Sequence, residues 1–319
     1  MSDVHYMLKD LPMRYFMDEC GVRSPGHEGA GVVVKVGDSV KDWKVGDRAG
    51  IKPMMDVCHN CEQCWNGIEQ WCRSAVNTGL QVPGTYQVST VNISLLLLCT
   101  LAEYQMVYRM RSLGPSCAAS TMHRALIESG LKPGQWVVFP GGGGGVGAQG
   151  VQLAKAMGMR AIVVDTGEQK AALAERIGAD AFIDFRKEND VLAKVREIAD
   201  GLGAHGVLVT AWQTYKDAVS YMSYIGGRIG GKITCIGLPP KDANVELGAS
   251  PLIFAGLKLT ITGSIVGTMQ DTAAALEYAR RGLLQPISEV RGLSRFAESV
   301  QQLKRGEVPG RIVIDFNKQ

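Results

Sequence analysis

Between residues 126 and 266 the chain alternates short apolar runs with stretches of helical periodicity. Apolar runs, rich in β-branched residues, predict strands at 135–139, 161–164, 181–185, 206–210, 232–236 and 257–262. Helical patterns fill the segments between them, for example 169–177 and 191–199. Because strands that alternate with helices form a parallel sheet covered on both faces, this part predicts a doubly wound α/β fold.

The N-terminal part has a different pattern, with short apolar runs closely bounded by glycine. Residues 32–37 and 49–51 predict short strands with turns, which is typical of a small β barrel or sandwich. Residues 1–25 show no clear strand or helix pattern, whereas the C-terminal part predicts a helix at 272–281 and a last strand at 310–316 that returns to the first domain. We therefore predict a β domain from residues 1–125 and 267–319 and an α/β domain from residues 126–266.

A run of five glycines, 141–145, follows the first strand of the α/β domain and precedes a helical pattern. Gly142, Gly144 and Gly147 supply the G-x-G-x-x-G spacing, which permits a tight turn, the approach of a pyrophosphate and close packing of the helix on the strand. The phosphates would bind N–H groups at the helix N-terminus. Several registers fit the run, so the spacing alone is equally compatible with a flexible glycine loop. The candidate phosphate-binding residues are Gly142, Gly144, Gly145, Val146 and Gly147.

An acidic residue ends the next apolar run. Asp165 directly follows the strand predicted at 161–164, the first strand after the glycine-rich run. This is where a dinucleotide fold binds the ribose hydroxyls, and a carboxylate here would repel a 2′-phosphate, so NAD is favoured over NADP. Lys170 could reach the same ribose or lie on a solvated helix face. The order of strand, glycines, helix, strand and acid predicts a dinucleotide site.

Four of the eight cysteines are clustered in one short segment: Cys58, Cys61, Cys64 and Cys72. Their C-x2-C-x2-C-x7-C spacing lets four thiolates converge on one ion, as in closed structural zinc sites. The loop has no clear strand or helix pattern, so metal would replace the hydrophobic core that it lacks. Four unlinked surface cysteines and an iron–sulfur cluster are the alternatives, although the seven-residue gap does not match ferredoxin spacings. A four-thiolate site has no open coordination position, which predicts a structural role.

Composition narrows the class of protein further. The 319 residues predict about two domains, and 46% hydrophobic residues provide ample material for a core. A net charge of +3 is too small to indicate nucleic acid or an anionic membrane as partner. The longest apolar run, 95–99, is too short to span a bilayer, and the first residues do not resemble a secretory signal, so we expect a cytoplasmic protein.

Together, these features resemble the zinc-containing medium-chain alcohol dehydrogenases, most closely their fungal branch. The resemblance covers residues 2–87 and 117–319. It is carried by residues 26–31, the four-cysteine loop, residues 141–147 with Asp165, and residues 310–313. It implies a GroES-like β domain, incomplete in this chain, and a Rossmann domain that binds NAD. It also implies hydride transfer between a primary alcohol or aldehyde and NAD, and a homo-oligomer.

The resemblance also implies roles for single residues. His27 and Cys117 would be catalytic zinc ligands, and Glu28 would contact the metal transiently or through a ligand. Ser2 and His5 would relay the proton that leaves the alcohol. The implied cofactor contacts are Asp165, Lys170, Ser264, Val266 and Arg311. Each of these roles has a simpler alternative. His27 could be a structural histidine and Cys117 a small buried residue, and Glu28 and Arg311 could be ordinary surface residues.

Two stretches depart from the family. Met1 stands where the family has histidine, and the cysteine that supplies a further zinc ligand would precede residue 1. Residues 88–116, with four consecutive leucines, do not resemble the family. We expect a missing first exon and a translated intron followed by a short frameshifted segment, with a divergent insertion as the alternative. A second hypothesis is therefore a catalytically impaired protein that binds structural zinc and NAD. A zinc-independent reductase is a third, which the four-cysteine loop and residues 26–28 disfavour.

Overall fold

A computed structural model of the chain describes residues 2–11, 16–38, 40–86, 107–109 (backbone only), 117–222 and 226–318. The divergent stretch 88–116 therefore lies outside the described residues, apart from the backbone of 107–109. The elements of the N-terminal part are α1 (Ser2–Leu8), β1 (Gly29–Val32), β2 (Arg48–Ile51), β3 (Met54–Asp56), α2 (Glu62–Trp65), a 3-10 helix (Glu69–Trp71), β4 (Val76–Asn77) and β5 (Val107–Arg109).

The N-terminal strands form small antiparallel sheets. Strands β1, β2 and β5 pair in the order β1-β2-β5, and β3 pairs with β4. The strand predicted at 32–37 was misplaced, because the strand of the structure is Gly29–Val32, which pairs from Gly29 with Ile51 to Val32 with Arg48. A Cβ at Gly29 would lie 2.6 Å from the Thr85 side chain, so glycine permits the close approach that starts the strand here. Helix α1 forms where the sequence showed no clear pattern, with Val4 buried.

The central part is the predicted α/β fold. Its elements are α3 (Cys117–Ser129), β6 (Trp136–Pro140), α4 (Gly147–Ala156), β7 (Arg160–Asp165), α5 (Glu168–Arg176), β8 (Ala181–Asp184), α6 (Val191–Ile198), β9 (Gly206–Val209), a 3-10 helix (Trp212–Asp217), β10 (Lys232–Cys235), α7 (Pro251–Gly256) and β11 (Thr260–Gly263). The six strands are all parallel, in the order β11-β10-β9-β6-β7-β8. The chain runs outward from β6 through β7 to β8 and then crosses to β9 on the other side of β6, so the switch point, where such folds bind ligands, lies between β6 and β9.

Two apolar cores cover the two faces of the sheet. Side chains alternate along β6, so that Val137 and Phe139 join one core while Trp136 and Val138 join the other. This two-sided burial explains why the strands read as continuous apolar runs in the sequence. The strand predicted at 257–262 starts later, at Thr260, because residue 258 has a left-handed backbone conformation (φ 53°) in the turn after α7.

The C-terminal part contains α8 (Met269–Arg280), β12 (Ser288–Gly292), a 3-10 helix (Leu293–Arg295), α9 (Phe296–Lys304) and β13 (Arg311–Asp315). Strand β13, which fulfils the prediction of a last strand, pairs in parallel with β12 in a separate two-stranded sheet. Gly310, just before β13, donates its N–H to the carbonyl of Gly143 at 2.7 Å. No helix of the described residues has the length and apolar character that a membrane span requires.

A buried carboxylate joins α3 to α8. Asp271 accepts hydrogen bonds from His123 Nδ1 and Arg124 Nε, both at 2.7 Å, and forms a capping box with Thr268 at the start of α8. Burial by itself would raise the pKa of Asp271, but the bonds from His123, Thr268 and Arg124 outweigh it and hold that pKa well below its usual range. The folded protein therefore favours the ionised carboxylate.

Replacing this carboxylate is expected to lower stability in a pH-dependent way. Asp271→Asn should cost about 3 kcal/mol of unfolding free energy at neutral pH, because one partner of a buried ion pair is removed. Since the folded-state pKa is depressed, this stabilisation is present above the pKa of the unfolded carboxyl and is lost as pH falls through the folded-state pKa. Urea unfolding at several pH values should show the wild-type advantage shrinking below about pH 4.

The control is Glu277→Gln, which breaks the exposed pair with Arg280 on the same helix. It should change stability little at any pH. An equal loss for both variants, or a pH-independent loss for Asp271→Asn, would contradict the assignment.

Candidate functional site

A cleft of about 2030 Å³ separates the N-terminal part from the α/β part. Its lining includes α1, the segment before β1 that carries His27 and Glu28, the start of α3, the glycine-rich turn and the segment between β11 and α8. The candidate catalytic, cofactor-binding and metal-binding residues all line this cleft, except for the four clustered cysteines and Gly142. The chemistry-bearing side chains are therefore collected in one place.

The glycine-rich turn is built for close backbone approach. A Cβ at Gly142 would lie 2.9 Å from the carbonyl oxygen of Phe139, and one at Gly147 would lie 2.5 Å from that of Gly141. Helix α4 begins at Gly147, and the preceding Val146 supplies no capping side chain. The turn is thus a fixed strand-to-helix connection rather than a flexible loop, and the start of the helix remains suited to an anion.

Asp165 organises the same turn. Its side chain is buried, accepts the N–H of Gly143 at 3.0 Å and pairs with Lys170 Nζ at 2.6 Å. Lys170 lies against Gly143, where a Cβ would meet its side chain at 2.8 Å, so it does not lie on a solvated helix face. The acid and the glycines are separated in sequence by the whole of α4, yet they form one unit because β6 and β7 are adjacent strands.

The four clustered cysteines converge as the spacing predicted. Sγ–Sγ distances are 3.5 Å for Cys61–Cys64 and Cys58–Cys72 and 4.0 Å for Cys58–Cys64, and all four sulfurs lie within 4.8 Å of one another. A tetrahedral zinc with bonds of about 2.3 Å requires sulfurs about 3.8 Å apart. Hydrogen bonds, first from the backbone of Asn60 and then from neighbouring thiols, lower the pKa of Cys58 to about 7. The donor set fits a four-thiolate metal ion.

His27 is buried and held by an acid that sequence reasoning did not assign. Asp3 on α1 pairs with His27 Nδ1, accepts its backbone N–H at 3.2 Å and accepts the Tyr86 hydroxyl at 3.3 Å. Burial would raise the pKa of Asp3, but His27 lowers it to about 2. Burial would lower the pKa of His27, but Asp3 and then the nearby Cys117 thiol hold it well above its ordinary value. A carboxylate hydrogen-bonded to one ring nitrogen is the usual environment of a metal-ligating histidine.

Glu28 and Arg311 join three segments of the cleft. One carboxylate oxygen of Glu28 accepts the N–H groups of Cys117 (2.5 Å) and Ala118 (3.0 Å), and the other pairs with Arg311. Burial would raise the pKa of Glu28, yet Arg311 holds it below its ordinary value. Glu28 therefore caps helix α3 and is not a surface acid. Arg311 Nε would lie 3.4 Å from a Cβ at Gly145, which places this side chain beside the phosphate-binding turn.

The remaining predicted residues also lie in the cleft. Ser2 and His5 share helix α1, and His5 Nδ1 pairs with Asp10 at 2.6 Å. Ser264 and Val266 follow β11, and Val266 has a left-handed backbone (φ 51°) that β-branched residues rarely adopt. Such strain often accompanies a functional role.

Two family models match the chain. "Alcohol dehydrogenase GroES-like domain" matches residues 1–107, and "Zinc-binding dehydrogenase" matches residues 145–281. The alcohol dehydrogenase of Schizosaccharomyces pombe is 38% identical over 99% of this chain and 87% of its own length. Alcohol dehydrogenase 1 of Neurospora crassa is 37% identical over 99% of this chain and 86% of its own. The chain belongs to the zinc-containing medium-chain alcohol dehydrogenases, in their fungal branch.

A solved structure agrees with this fold. CAD from Helicobacter pylori, complexed with NADP(H), superimposes with a TM-score of 0.77 at 22% identity and covers 100% of this chain and 87% of its own. The prediction of a GroES-like domain with a Rossmann sheet is thus confirmed. Zinc and NAD are the cofactors that the family uses. The converging thiols of the four-cysteine cluster fit zinc, and the closely packed glycine-rich turn fits the phosphates of NAD.

The described residues fit the catalytic zinc of the alcohol dehydrogenases less well than they fit the structural zinc. His27 and Cys117 line the same cleft, but both carboxylate oxygens of Glu28 are engaged with α3 and Arg311. Among the described residues, the four-cysteine cluster alone brings three or more metal-binding side chains together. The described part of the site thus presents two zinc ligands, which falls short of the three protein ligands typical of catalytic zinc.

Breaking the four-cysteine cluster is expected to remove its metal. Cys61→Ser should lower zinc content by one ion per chain and reduce the melting temperature by about 10 °C or more, because metal binding there replaces a hydrophobic core. Elemental analysis and calorimetry would measure both. Cys20→Ser, at a cysteine outside the cluster, should change neither. Retention of full zinc by Cys61→Ser would contradict the site.

Removing the charge of Asp165 is expected to alter the choice of dinucleotide. Asp165→Asn should raise the Kd for NADH and lower that for NADPH, changing their ratio by about tenfold or more, because repulsion of the 2′-phosphate is lost. Fluorescence titration would measure both constants. The control is Asp180→Asn, which removes an acid at the opposite end of the sheet, where Asp180 pairs with Lys155. An unchanged ratio in Asp165→Asn would contradict the assignment.

Proposed function

We propose that this chain is a zinc-dependent alcohol dehydrogenase that transfers a hydride between a primary alcohol or aldehyde and NAD. The observation that carries the proposal is the shared cleft: the His27–Cys117 pair lines the same cavity as the glycine-rich turn and Asp165. Residues 126–266 would bind the dinucleotide, and residues 1–125 with 267–319 would bind the alcohol. A cytoplasmic homo-oligomer remains a prediction from the sequence and the resemblance.

The residues of the chain have separable tasks in this proposal. Asp165 and Lys170 hold the adenosine ribose, and the glycine-rich turn with Arg311 receives the pyrophosphate. Ser264 and Val266 lie on the far side of the switch point, where they contact the nicotinamide end. Asp3 orients His27, and Glu28 fixes the start of the helix that carries Cys117. The cleft thereby binds both reactants in a fixed relative orientation.

The reaction balances as a two-electron oxidation. A hydride with both bonding electrons leaves the alcohol carbon for NAD, and the hydroxyl proton leaves for water, giving aldehyde, NADH and a proton. Ser2 and His5, which share α1 at the cleft, provide the hydroxyl and imidazole for that proton. In this family bound zinc supplies a Lewis acid that lowers the pKa of the alcohol.

A second candidate is a zinc- and NAD-binding protein with impaired turnover. The observation that favours it is the pair of ligands, His27 and Cys117, where three are typical. Such a chain would retain the metal of the four-cysteine cluster and the dinucleotide, because neither depends on His27.

Zinc content and turnover on one sample separate the two candidates. We expect two zinc ions per chain and ethanol-dependent reduction of NAD if the dehydrogenase proposal holds. One zinc ion, NADH binding and no turnover would instead support the impaired protein. His27→Ala is the matched variant, since it should lose one zinc and all turnover only in the first case. A chain without zinc would contradict both candidates.

A further inference from the structure

The strained backbone at Val266 requires surroundings that hold it. A left-handed backbone at φ 51° is unfavourable for a β-branched residue, and it persists only where neighbouring contacts fix the chain. Val266 lies in the cleft, in the segment between β11 and α8. The next three residues, Gly267, Thr268 and Met269, show how that segment is fixed.

Three charged side chains bind these three consecutive residues. Lys52 Nζ donates to the carbonyl of Gly267 at 2.7 Å. Glu69 accepts the N–H of Met269 at 2.6 Å, and Asp271 accepts that of Thr268 at 2.8 Å. Asp271 belongs to α8 itself, so its bond is a local cap. Lys52 and Glu69 come from the N-terminal part, far from this segment along the chain.

Lys52 is an unusual residue to find in this position. It is 1% exposed, and a buried ammonium is costly unless it is paired and hydrogen-bonded. Burial lowers its pKa to about 8, while attraction to Glu69 opposes the shift. A methionine of similar shape would fill the same space without this cost. The bond to the Gly267 carbonyl is the specific contact that lysine adds.

Gly267, which accepts this hydrogen bond, packs directly against α3. A Cβ at Gly267 would lie 2.4 Å from the carbonyl oxygen of Ser120, so the turn packs directly against α3. Ser120 is one helical turn after Cys117 and donates its hydroxyl to the carbonyl of Cys117. The bond from Lys52 therefore seats the turn after Val266 against the helix that carries Cys117.

Glu69 extends the connection to the four-cysteine loop. It lies between Cys64 and Cys72 in sequence, in the short 3-10 helix 69–71. That loop also contacts the segment through apolar packing, since Val266 and Met269 adjoin the cluster formed by Met54, Val57 and Cys72. The four-cysteine loop thus contacts the backbone of the cofactor cleft directly, through Glu69 and through this apolar packing.

We propose that Lys52 and Glu69 are positioning residues that hold the Val266 backbone for the nicotinamide end of the cofactor and so couple the four-cysteine loop to cofactor binding. The inference rests on the proposed function, which places the nicotinamide beside Val266. Neither residue touches the cofactor. Both act on the turn that follows Val266.

Comparison of two ligands tests this role. NADH carries the nicotinamide, whereas ADP-ribose shares its adenosine and pyrophosphate but lacks that ring. Lys52→Met and Glu69→Gln should each raise the Kd for NADH about tenfold, as expected for loss of one hydrogen bond to a charged group. The Kd for ADP-ribose should change less than about twofold, because Asp165 and the glycine-rich turn are untouched. Isothermal titration calorimetry on the purified full chain would measure both.

Lys155→Met is the matched control, because it removes a lysine that pairs with Asp180 on the α/β part. It should leave both constants unchanged. Glu69→Gln keeps the shape of the side chain and provides the test if Lys52→Met does not fold. Equal weakening of both ligands, or no change for either in Glu69→Gln, would overturn the inference. Failure of the proposed cofactor site would be recognised separately, because the unsubstituted chain would then not bind NADH.

Discussion

One partly buried carboxylate, that of Glu28, holds the cleft together. It caps the helix that begins at Cys117 and pairs with Arg311 at the start of the last strand, while its neighbour His27 is held by Asp3. Three segments remote in sequence meet at this residue. Because a charge largely removed from water is stabilised only when its partners are in place, the ion pair and the helix cap support one another. The geometry of the site therefore depends on this junction.

Paired charges recur around the cleft. Asp165 pairs with Lys170 and fixes the glycine-rich turn. Asp271 pairs with Arg124 and joins α8 to α3, the helix that begins at Cys117. Each acid also accepts at least one backbone or hydroxyl bond, so its carboxylate is held in a fixed position. Such fixed charges are pre-organised before any ligand binds, which lowers the reorganisation that binding requires. The described side chains thereby define where each end of a dinucleotide would lie.

Local sequence signals predicted the parts of the site whose members are close along the chain. Cys58 to Cys72 converge because two-residue spacings need only a tight turn. The glycines and Asp165 meet because consecutive strands of a strand–helix–strand unit are neighbours in the sheet. Helix α1 and the role of Asp3 were missed, since a short helix with one buried position carries too little periodicity to indicate a helix. The pairing of Asp3 with His27 joins two separate segments and follows no spacing rule.

The sequence by itself determined the parallel sheet, the glycine-rich turn with its acid, and the four-thiolate cluster, because hydrophobic periodicity and short spacings encode contacts between near neighbours. Only the tertiary structure decided that Glu28 caps α3, that Arg311 reaches it from the opposite end of the chain, and that Lys52 is buried beneath Gly267. These contacts join residues that lie far apart along the chain. Their energies depend on burial and on partners that only the folded chain brings together, so local sequence patterns do not predict them.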